Sequence, residues 1–348
     1  MKHTKIAIVG HYGANENFTD GQTVKIRSLV SAIRSTRPDI TITIADTYYL
    51  LNNRKLYFCW LLIKAIIQNR HIIFFPAARG RQYMFCFFYY VGKLFKKKLY
   101  HDCIAGSLDK ELGEHSSWKK YLNSFECSWM ESPEQVKLLR DMGIKNVFYL
   151  PNFKNLQPAK ISDKDFSVKD FRFCIFSRVL PKKGIEDALE AIQWVFEIRK
   201  VNITLDVYGP IEHGCELWFE AVTNKYVNIC NYGGVIPFEE SVETLKDYFA
   251  LLFPTQFYTE GMPGTIIDAM FAGIPVIARK WKWCDNMIHD GYNGISYDFD
   301  KPELLKDILL DIVDNPEKIL NMKKNCIEES QKYSPSLICQ QIIKKMGV

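Results

Sequence analysis

The chain has 348 residues, 47% of them hydrophobic and 24% charged, a composition that excludes a disordered protein and is typical of a globular one. A chain of this length is longer than most domains with a single hydrophobic core, so two domains are predicted. The formal net charge of +5 favours anionic ligands such as nucleotides or phospholipid headgroups. It does not single out nucleic acid, and the sequence has no recognisable nucleic-acid-binding motif.

Cysteines and apolar segments bear on the cellular compartment. The ten cysteines are spread singly, without a C-x-x-C pair or a zinc-site spacing, so we expect free thiols in a reducing compartment. The N-terminal residues pass almost directly into an apolar strand at 6–9, without the positively charged leader and the cleavage site of an export signal, so we expect no export signal. The apolar stretches 56–67 and 83–95 are shorter than the ~20 residues that a membrane-spanning helix needs. We therefore expect a cytoplasmic protein that is soluble or peripheral to a membrane.

Residues 1–152 alternate apolar strands with segments of helical periodicity. A strand at 5–9 is followed by a polar loop that contains glycine, and residues 24–33 carry apolar side chains at helical spacing. Ser132 begins a later helix, which Gly143 ends. This alternation predicts a domain with an open α/β sheet. Further strands of this domain are expected at 40–45, 72–75, 98–100 and 147–150.

The segment 153–170 is polar and rich in lysine and has no apolar periodicity, so it is predicted to link two domains. The alternation of strands and helical segments then resumes and predicts a second α/β domain at 171–330. A C-terminal helix at 331–348 could return to the first domain. The strands of the second domain are expected at 171–176, 203–208, 227–232, 250–253 and 275–278.

The most informative motif lies at residues 260–275, which read E-G-M-P-G-T-I-I-D-A-M-F-A-G-I-P and are followed by V-I-A. Gly261 and Gly264 let the backbone come close to a ligand, and Pro263 suits a helix start whose free N–H groups can bind an anion. This segment, called the donor motif below, resembles the signature of the retaining GT-B glycosyltransferases of family 4.

The resemblance implies a GT-B fold, in which two Rossmann-like domains with parallel sheets face a cleft and the C-terminal domain holds a sugar nucleotide. It implies that Glu260 contacts the donor sugar and that Asp268, at a position where the family usually has Glu, hydrogen-bonds the ribose. The alternative is that neither residue binds a ligand: Glu260 would be a solvated charge on a loop, and Asp268 would be favoured near the helix N-terminus by the helix dipole. The other donor-binding residues implied here are Gly261, Met262, Pro263, Gly264 and Thr265.

Residues 176–184 read F-S-R-V-L-P-K-K-G and are similar to the family's strand end that carries an arginine and a lysine. By this resemblance Arg178 and Lys183 hold the diphosphate. Two fixed cations can neutralise the charge of a leaving nucleoside diphosphate, a task that other glycosyltransferases give to a metal ion. The D-x-D at 298–300 resembles a metal site of another glycosyltransferase fold, but it follows the donor motif, so we expect no metal or other cofactor.

Two first-domain residues complete the predicted site. The loop 10–21 resembles the family's N-terminal glycine loop, and Gly21 is the glycine expected near the diphosphate, although Asp20 replaces the usual preceding glycine. His101, in L-Y-H-D, lies where the family often has a histidine near the transferred group. A buried structural role is the alternative for a lone histidine.

Two segments leave alternatives open. The segment 281–286, W-K-W-C-D-N, departs from the family and is either a substrate contact or a bulky structural loop. The segment 79–98 combines arginines, a run of Met, Phe and Tyr, and four lysines. It either contacts an anionic membrane surface or forms a core helix whose lysines favour its C-terminal dipole.

The resemblance implies a retaining, metal-independent glycosyltransferase that uses a nucleoside-diphosphate sugar such as a UDP-sugar. The catalytic residues expected are Glu260, His101, Arg178 and Lys183. Its acceptor would be a saccharide or a lipid-linked saccharide in cell-surface polysaccharide synthesis, at the inner face of the cytoplasmic membrane. Two alternatives are a noncatalytic saccharide- or membrane-binding homologue and a nucleotide-sugar epimerase of the same fold.

Overall fold

The computed structural model describes residues 4–14, 16, 20–104, 106–160 and 170–348. These residues form two compact units. Unit 1 contains Met1–Asn155, Glu260–Gly264 and Tyr333–Val348, and unit 2 contains Leu156–Thr259 and Thr265–Lys332. The donor motif therefore begins with five residues that pack in unit 1 and continues in unit 2. Of the segment predicted as a linker, residues 161–169 lie outside the described residues.

Unit 1 is built on a six-stranded parallel sheet with the strand order β2-β1-β3-β4-β5-β6. Because helices cover both faces of such a sheet, its central strands are apolar at consecutive positions, and Ile6, Ala7, Ile8 and Val9 are all buried. The strands are β1 (Thr4–Gly10), β2 (Ile40–Asp46), β3 (His71–Phe74), β4 (Lys98–Asp102), β5 (Cys127–Met130) and β6 (Val147–Tyr149).

Within the described part of unit 1, seven helices precede residue 142: α1 (Gly21–Thr36), α2 (Tyr48–Leu51), α3 (Lys55–Gln68), α4 (Ala78–Phe95), α5 (Leu108–Glu114), α6 (Trp118–Leu122) and α7 (Pro133–Asp141). Helix α1 packs with Ile6 and Ile8 on one side of the sheet. Helices α3 and α4 pack with Ala7 and Val9 on the other side, since successive side chains of a strand point to opposite faces.

Unit 2 repeats this plan with a second six-stranded parallel sheet, in the order β12-β11-β10-β7-β8-β9. The strands are β7 (Asp170–Phe176), β8 (Asn202–Tyr208), β9 (Cys230–Gly234), β10 (Ala250–Phe253), β11 (Val276–Arg279) and β12 (Gly294–Tyr297). The helices are α8 (Ile185–Arg199), α9 (Glu216–Lys225), α10 (Ser241–Leu245), α11 (Gly264–Ala272), α12 (Leu304–Asp314) and α13 (Glu317–Ser330). The expected two-domain α/β fold with parallel sheets is thus confirmed.

The last helix, α14 (Pro335–Met346), belongs to unit 1. Its apolar face contributes Ile338 and Ile342 to the hydrophobic cluster that also contains α1. Phe153, which the sequence assigned to the linker, is buried in the same cluster.

Two strands of unit 2 differ from the sequence prediction. The strand expected at 227–232 begins only at Cys230, because the chain up to Tyr226 completes the end of α9 and Val227 is exposed. Strand β12 was not among the predicted strands. Gly294 opens it next to β11, where a Cβ atom would come within 2.3 Å of the Val276 carbonyl oxygen.

Candidate functional site

In unit 2, the turn after β7 carries both cations that the sequence assigned to the diphosphate. Strand β7 ends at Phe176, Arg178 follows, and a 3-10 turn at Pro181–Lys183 leads into α8. Arg178 is exposed and forms an ion pair with Glu212 at 2.9 Å. Lys183 is half-buried, and its ammonium group lies 5.6 and 5.1 Å from the ring centroids of Phe253 and Phe257. The aromatic rings thereby fix the position of one positive charge.

Two glycines bring neighbouring loops of unit 2 close to this turn. Gly184 has a φ of +73°, and a Cβ atom there would lie 2.1 Å from the Pro254 carbonyl oxygen. Gly209, after β8, has a φ of +132°, and a Cβ atom would lie 1.9 Å from the Ser177 carbonyl oxygen. Both positions require glycine for backbone conformation and for space. The carboxyl ends of β7, β8 and β10 therefore meet in one tightly packed group of loops.

The part of the donor motif that lies in unit 2 forms α11. Asp268 is fully buried, and its carboxylate accepts a hydrogen bond of 2.9 Å from the Ser241 hydroxyl group of α10. The structure thus gives Asp268 a partner inside the protein, and its contact with a ribose stays a prediction. Thr265, in the first turn, has a buried hydroxyl oxygen without a hydrogen-bond partner among the described residues. A buried polar atom of this kind is costly unless a ligand or water satisfies it.

The first five residues of the donor motif are held by other parts of unit 1. The Met262 N–H donates to the Glu131 carboxylate at 3.1 Å, and the Asn152 side-chain amide donates to the Met262 carbonyl oxygen at 2.9 Å. Gly264 lies against Lys154, whose Cε would be 2.8 Å from a Cβ atom at that position. The backbone on both sides of Pro263 is therefore fixed, while Glu260 and Gly261 are half-buried.

Glu131 belongs to a buried ionic network. The Lys25 ammonium group of α1 donates to Asp102 at 2.6 Å and to Glu131 at 2.9 Å. Burial by itself would lower the pKa of Lys25, but the charges of the two carboxylates raise this pKa above its usual value overall. Burial raises the pKa of Asp102, although the Lys25 charge opposes that effect. One lysine thus contacts two carboxylates, and the carboxylate of Glu131 also accepts a hydrogen bond from the donor motif.

His101, the predicted cleft histidine, is fully buried beside this network. Its ring stacks on Phe74, with centroids 5.5 Å apart, and meets Phe85 edge-on at 4.8 Å. Neither ring nitrogen has a hydrogen-bond partner among the described residues. Burial, followed by the charges of Arg81 and Lys25, lowers its pKa well below that of a free imidazole. His101 is therefore neutral in the folded protein, and its contact with a transferred group stays a prediction.

We expect His101 to make the folded protein less stable in mild acid. The unfolded chain binds a proton on this imidazole with a pKa of about 6.5, whereas the folded chain does not, so stability falls as the pH drops below that value by up to ~1.4 kcal/mol per pH unit. His101→Phe keeps a ring between Phe74 and Phe85 and removes this effect. Denaturant unfolding measures this effect: as the pH falls from 7 to 5, the free energy of unfolding should decrease less for His101→Phe than for the wild type. An equal pH dependence of the two proteins would contradict the assignment.

The N-terminal loop of unit 1 is anchored by two carboxylates. Asp20 caps α1 by accepting hydrogen bonds of 3.1 Å from the N–H groups of Gln22 and Thr23. Asp46 accepts hydrogen bonds from four backbone N–H groups of residues 12–14 and 48. A Cβ atom at Gly21 would meet no atom within 4 Å. The replacement of the family's glycine by Asp20 therefore has a local explanation, because aspartate is a favoured N-cap.

Two other segments have structural roles in unit 2. Trp281 and Trp283 are buried, and Trp281 meets Phe253 edge-on at 5.3 Å, so these residues of the segment 281–286 pack in the core. In the D-x-D segment, Asp298 accepts a hydrogen bond of 3.0 Å from the Asp300 N–H. Among the described residues, no group of three or more His, Cys, Asp or Glu is placed to hold a metal ion.

Residues 157–332, about half of the chain, match the family model described as glycosyl transferases group 1. The chain belongs to the glycosyl transferases group 1 family. The matched residues of this family member include Arg178, Lys183 and the whole donor motif, whereas Gly21 and His101 precede them. The predicted residues of unit 2 therefore lie within the matched region.

Individual relatives agree with this assignment. The chain is 26% identical over 214 residues to an uncharacterized glycosyltransferase of Methanocaldococcus jannaschii, covering 56% of this chain and 54% of the relative. It is 20% identical over 261 residues to the N,N'-diacetylbacillosaminyl-diphospho-undecaprenol alpha-1,3-N-acetylgalactosaminyltransferase of Campylobacter jejuni, covering 74% and 66%. The matched part spans about half the length of the Methanocaldococcus jannaschii relatives.

The fold is that of solved GT-B glycosyltransferases. The crystal structure of the Anabaena protein HepE in complex with UDP and glucose is similar with a TM-score of 0.71 at 14% identity, covering 99% of this chain and 100% of that one. Among the described residues of this chain, no helix has both the length and the apolarity needed to cross a bilayer.

Several residues that shape the site were missed by the sequence analysis. They are Lys25, Glu131, Asn152 and Lys154, and all are buried. Two had a usable signal: Lys25 lies between apolar residues within a predicted helix, and Glu131 directly follows the apolar run of β5. A charge in such a position needs a buried partner. Asn152 and Lys154 had no such signal, because they stand at a break in the pattern.

Proposed function

We propose that the protein is a retaining glycosyltransferase of family 4 that works without a metal ion and transfers a sugar from a UDP-sugar to a saccharide or lipid-linked saccharide. The observation that carries this proposal is the turn after β7, which contains both Arg178 and Lys183 and continues into α8 through Gly184. Two cations at the carboxyl end of a parallel strand suit a diphosphate, because ligands of open α/β sheets bind at that end.

Each group would have a defined role in the transfer. The bond between the anomeric carbon and the diphosphate oxygen breaks, and its electron pair leaves with the nucleoside diphosphate. Arg178, Lys183 and the N–H groups at the start of α11 would stabilise that negative charge. Glu260 would orient the sugar. The acceptor oxygen would bond to the anomeric carbon on the face that the diphosphate left, and the leaving diphosphate oxygen would take the proton of the acceptor hydroxyl group. Asp268 and Gly21 would contact the nucleotide, His101 would lie near the transferred group, and no covalent nucleophile is assigned.

Names of relatives support the substrate classes. The HepE crystal contains UDP and glucose, and the name of the Campylobacter jejuni enzyme specifies an acceptor linked to diphospho-undecaprenol. We therefore propose that this chain acts in cell-surface polysaccharide synthesis, at the inner face of the cytoplasmic membrane.

Thermal unfolding with a panel of nucleoside diphosphates and their sugars tests the donor assignment. A ligand present at 100 times its Kd stabilises the folded state by about 2.7 kcal/mol. We expect UDP and one UDP-sugar to raise the Tm of the wild type and of Lys182→Ala, an exposed neighbour on the same turn, but to act weakly on Lys183→Ala. No response to any nucleotide at millimolar concentration would instead favour a noncatalytic protein.

A further inference from the structure

Helices α3 and α4 of unit 1 each expose an apolar stripe on their outer side. On α3 the stripe is Leu56, Trp60, Ile63 and Ile67, and on α4 it is Tyr83, Phe87, Tyr90 and Leu94. Both follow the spacing i, i+4, i+7, i+11, which keeps side chains on one side of a helix. Their members are 42–88% exposed, so neither stripe is covered by unit 1.

The opposite sides of the same helices are in the core. Ala65 and Ile66 of α3 and Phe85 and Phe88 of α4 belong to one hydrophobic cluster on one face of the sheet. The ends of the helices also meet, since the Lys97 ammonium group donates to the Asn69 carbonyl oxygen at 3.0 Å. The two exposed stripes are therefore on neighbouring helices. We call the stripes, with the exposed lysines and arginines beside them, the α3–α4 face.

The apolar area of this face is large. A large aromatic side chain has about 150–250 Å² of surface, so eight half-exposed large side chains present roughly 800 Å². Soluble monomers rarely expose apolar patches above a few hundred Å² unless the patch binds something. A binding partner with an apolar surface is therefore expected here.

Charge defines the nature of that partner. The 55 residues 47–101, which include α3 and α4, contain ten Lys and Arg and no Asp or Glu. The remainder of the chain has the opposite bias, with 35 Lys and Arg against 40 Asp and Glu. Because this stretch carries positive charges and no acidic side chains, it attracts anions, and none of its own side chains repels them.

Cations and aromatic rings alternate on the α3–α4 face. The Arg54 guanidinium group lies 5.2 Å from the ring of Tyr57, and the Lys64 ammonium group lies 5.2 Å from the ring of Trp60. Tyr57 and Trp60 stack on each other with centroids 5.7 Å apart. Tryptophan and tyrosine beside lysine and arginine are typical of proteins at the level of lipid headgroups, where one part of each side chain is apolar and the other is hydrated.

We propose that the α3–α4 face binds the surface of an anionic lipid bilayer. The two stripes would enter the boundary between headgroups and acyl chains, and Arg54, Lys64, Lys93 and Lys96 would contact the headgroup phosphates. This inference deepens the proposed function, on which its biological meaning rests, because a lipid-linked acceptor is presented at such a surface. The two alternatives for the segment 79–98 were a core helix and contact with an anionic membrane surface. Both apply under this proposal, because one side of α4 packs in the core and the other side belongs to the binding face.

Vesicle co-sedimentation of the full chain tests the inference. Wild-type protein should sediment with vesicles of phosphatidylcholine containing 30% phosphatidylglycerol and much less with phosphatidylcholine alone. Replacing Leu56, Trp60, Tyr83 and Leu94 with glutamine should weaken binding to both vesicles about tenfold or more. Replacing Lys64, Lys93 and Lys96 with glutamine should weaken binding to the anionic vesicles alone, by about fivefold per lysine. All seven positions are exposed, so these variants should fold.

A matched control replaces Leu217 and Val227, exposed apolar residues of unit 2, with glutamine and should bind like the wild type. The inference is wrong if wild-type protein stays in the supernatant with both vesicles, or if the four apolar replacements leave binding unchanged. A wild-type dimer that the apolar replacements convert to a monomer would assign the face to a second copy instead. Stabilisation by UDP is measured without vesicles, so failure of membrane binding and failure of the donor assignment are separate results.

Discussion

Lys183→Ala is expected to lower kcat for sugar transfer by about 100- to 1,000-fold, the usual loss when one preorganised group that stabilises a developing charge is removed. The ammonium group lies 5.6 and 5.1 Å from the ring centroids of Phe253 and Phe257, so it is already positioned before a diphosphate leaves. Removal of a charge that acts most strongly in the transition state lowers kcat as well as affinity. Initial rates with saturating sugar nucleotide measure the effect.

Lys182→Ala is the matched control for this experiment. Lys182 neighbours Lys183 on the same 3-10 turn, but it is exposed. Its replacement removes one positive charge from the same surface and should change kcat less than threefold. Equal losses for the two variants would mean that the turn contributes only general positive charge, and the role assigned to Lys183 would then be wrong.

Glu131→Ala is expected to destabilise the protein by about 1–3 kcal/mol, because the buried Lys25 ammonium group loses one of its two hydrogen-bond acceptors. It also removes the acceptor for the Met262 N–H at the start of the donor motif. Glu131→Gln should cost much less stability. The amide oxygen can still accept a hydrogen bond, and Lys25 and Asp102 then form an electrically neutral pair. Denaturant unfolding at pH 7 measures both variants.

The two Glu131 variants also separate a positioning role from a purely structural one. If Glu131 positions the donor motif, Glu131→Gln should raise KM for the sugar nucleotide while the protein remains folded. A folded Glu131→Gln protein with unchanged KM would limit this residue to stability. Unfolding of Glu131→Ala at the same denaturant concentration as the wild type would contradict the importance of the network altogether.

Much of the fold could be predicted from the sequence, because the patterns that indicate strands and helix starts lie within a few consecutive residues. Consecutive apolar residues such as Ile6 to Val9 predict a strand that is buried on both faces, and the donor motif lies at a strand-to-helix transition as its Pro and Gly residues require. Strand β12 was missed because its four residues, G-I-S-Y, are too short for periodicity and resemble a turn. These residues form a strand because they pair with the edge of β11, and no local pattern in the sequence indicates that pairing.

The candidate site was predictable in its residue types and less so in their surroundings. Asp268 could be located on a helix from its position in the motif, but its bond to Ser241 joins residues 27 positions apart. The burial of His101 follows from rings contributed by Phe74 and Phe85, and neither residue has a spacing that would reveal the contact. The partners of Lys25 come from β4 and from the residue after β5, so only the folded sheet brings them together.

Burial of the cysteines has a practical chemical consequence. Of the ten thiols, Cys59 is the exposed one, and it lies on α3 next to Trp60. Burial raises the pKa of Cys103, Cys127 and Cys326 to about 12, which suppresses the thiolate form that reacts with alkylating reagents. A maleimide dye should therefore label the native chain first at Cys59. An environment-sensitive fluorophore at that position would report directly on the polarity of whatever covers the helix.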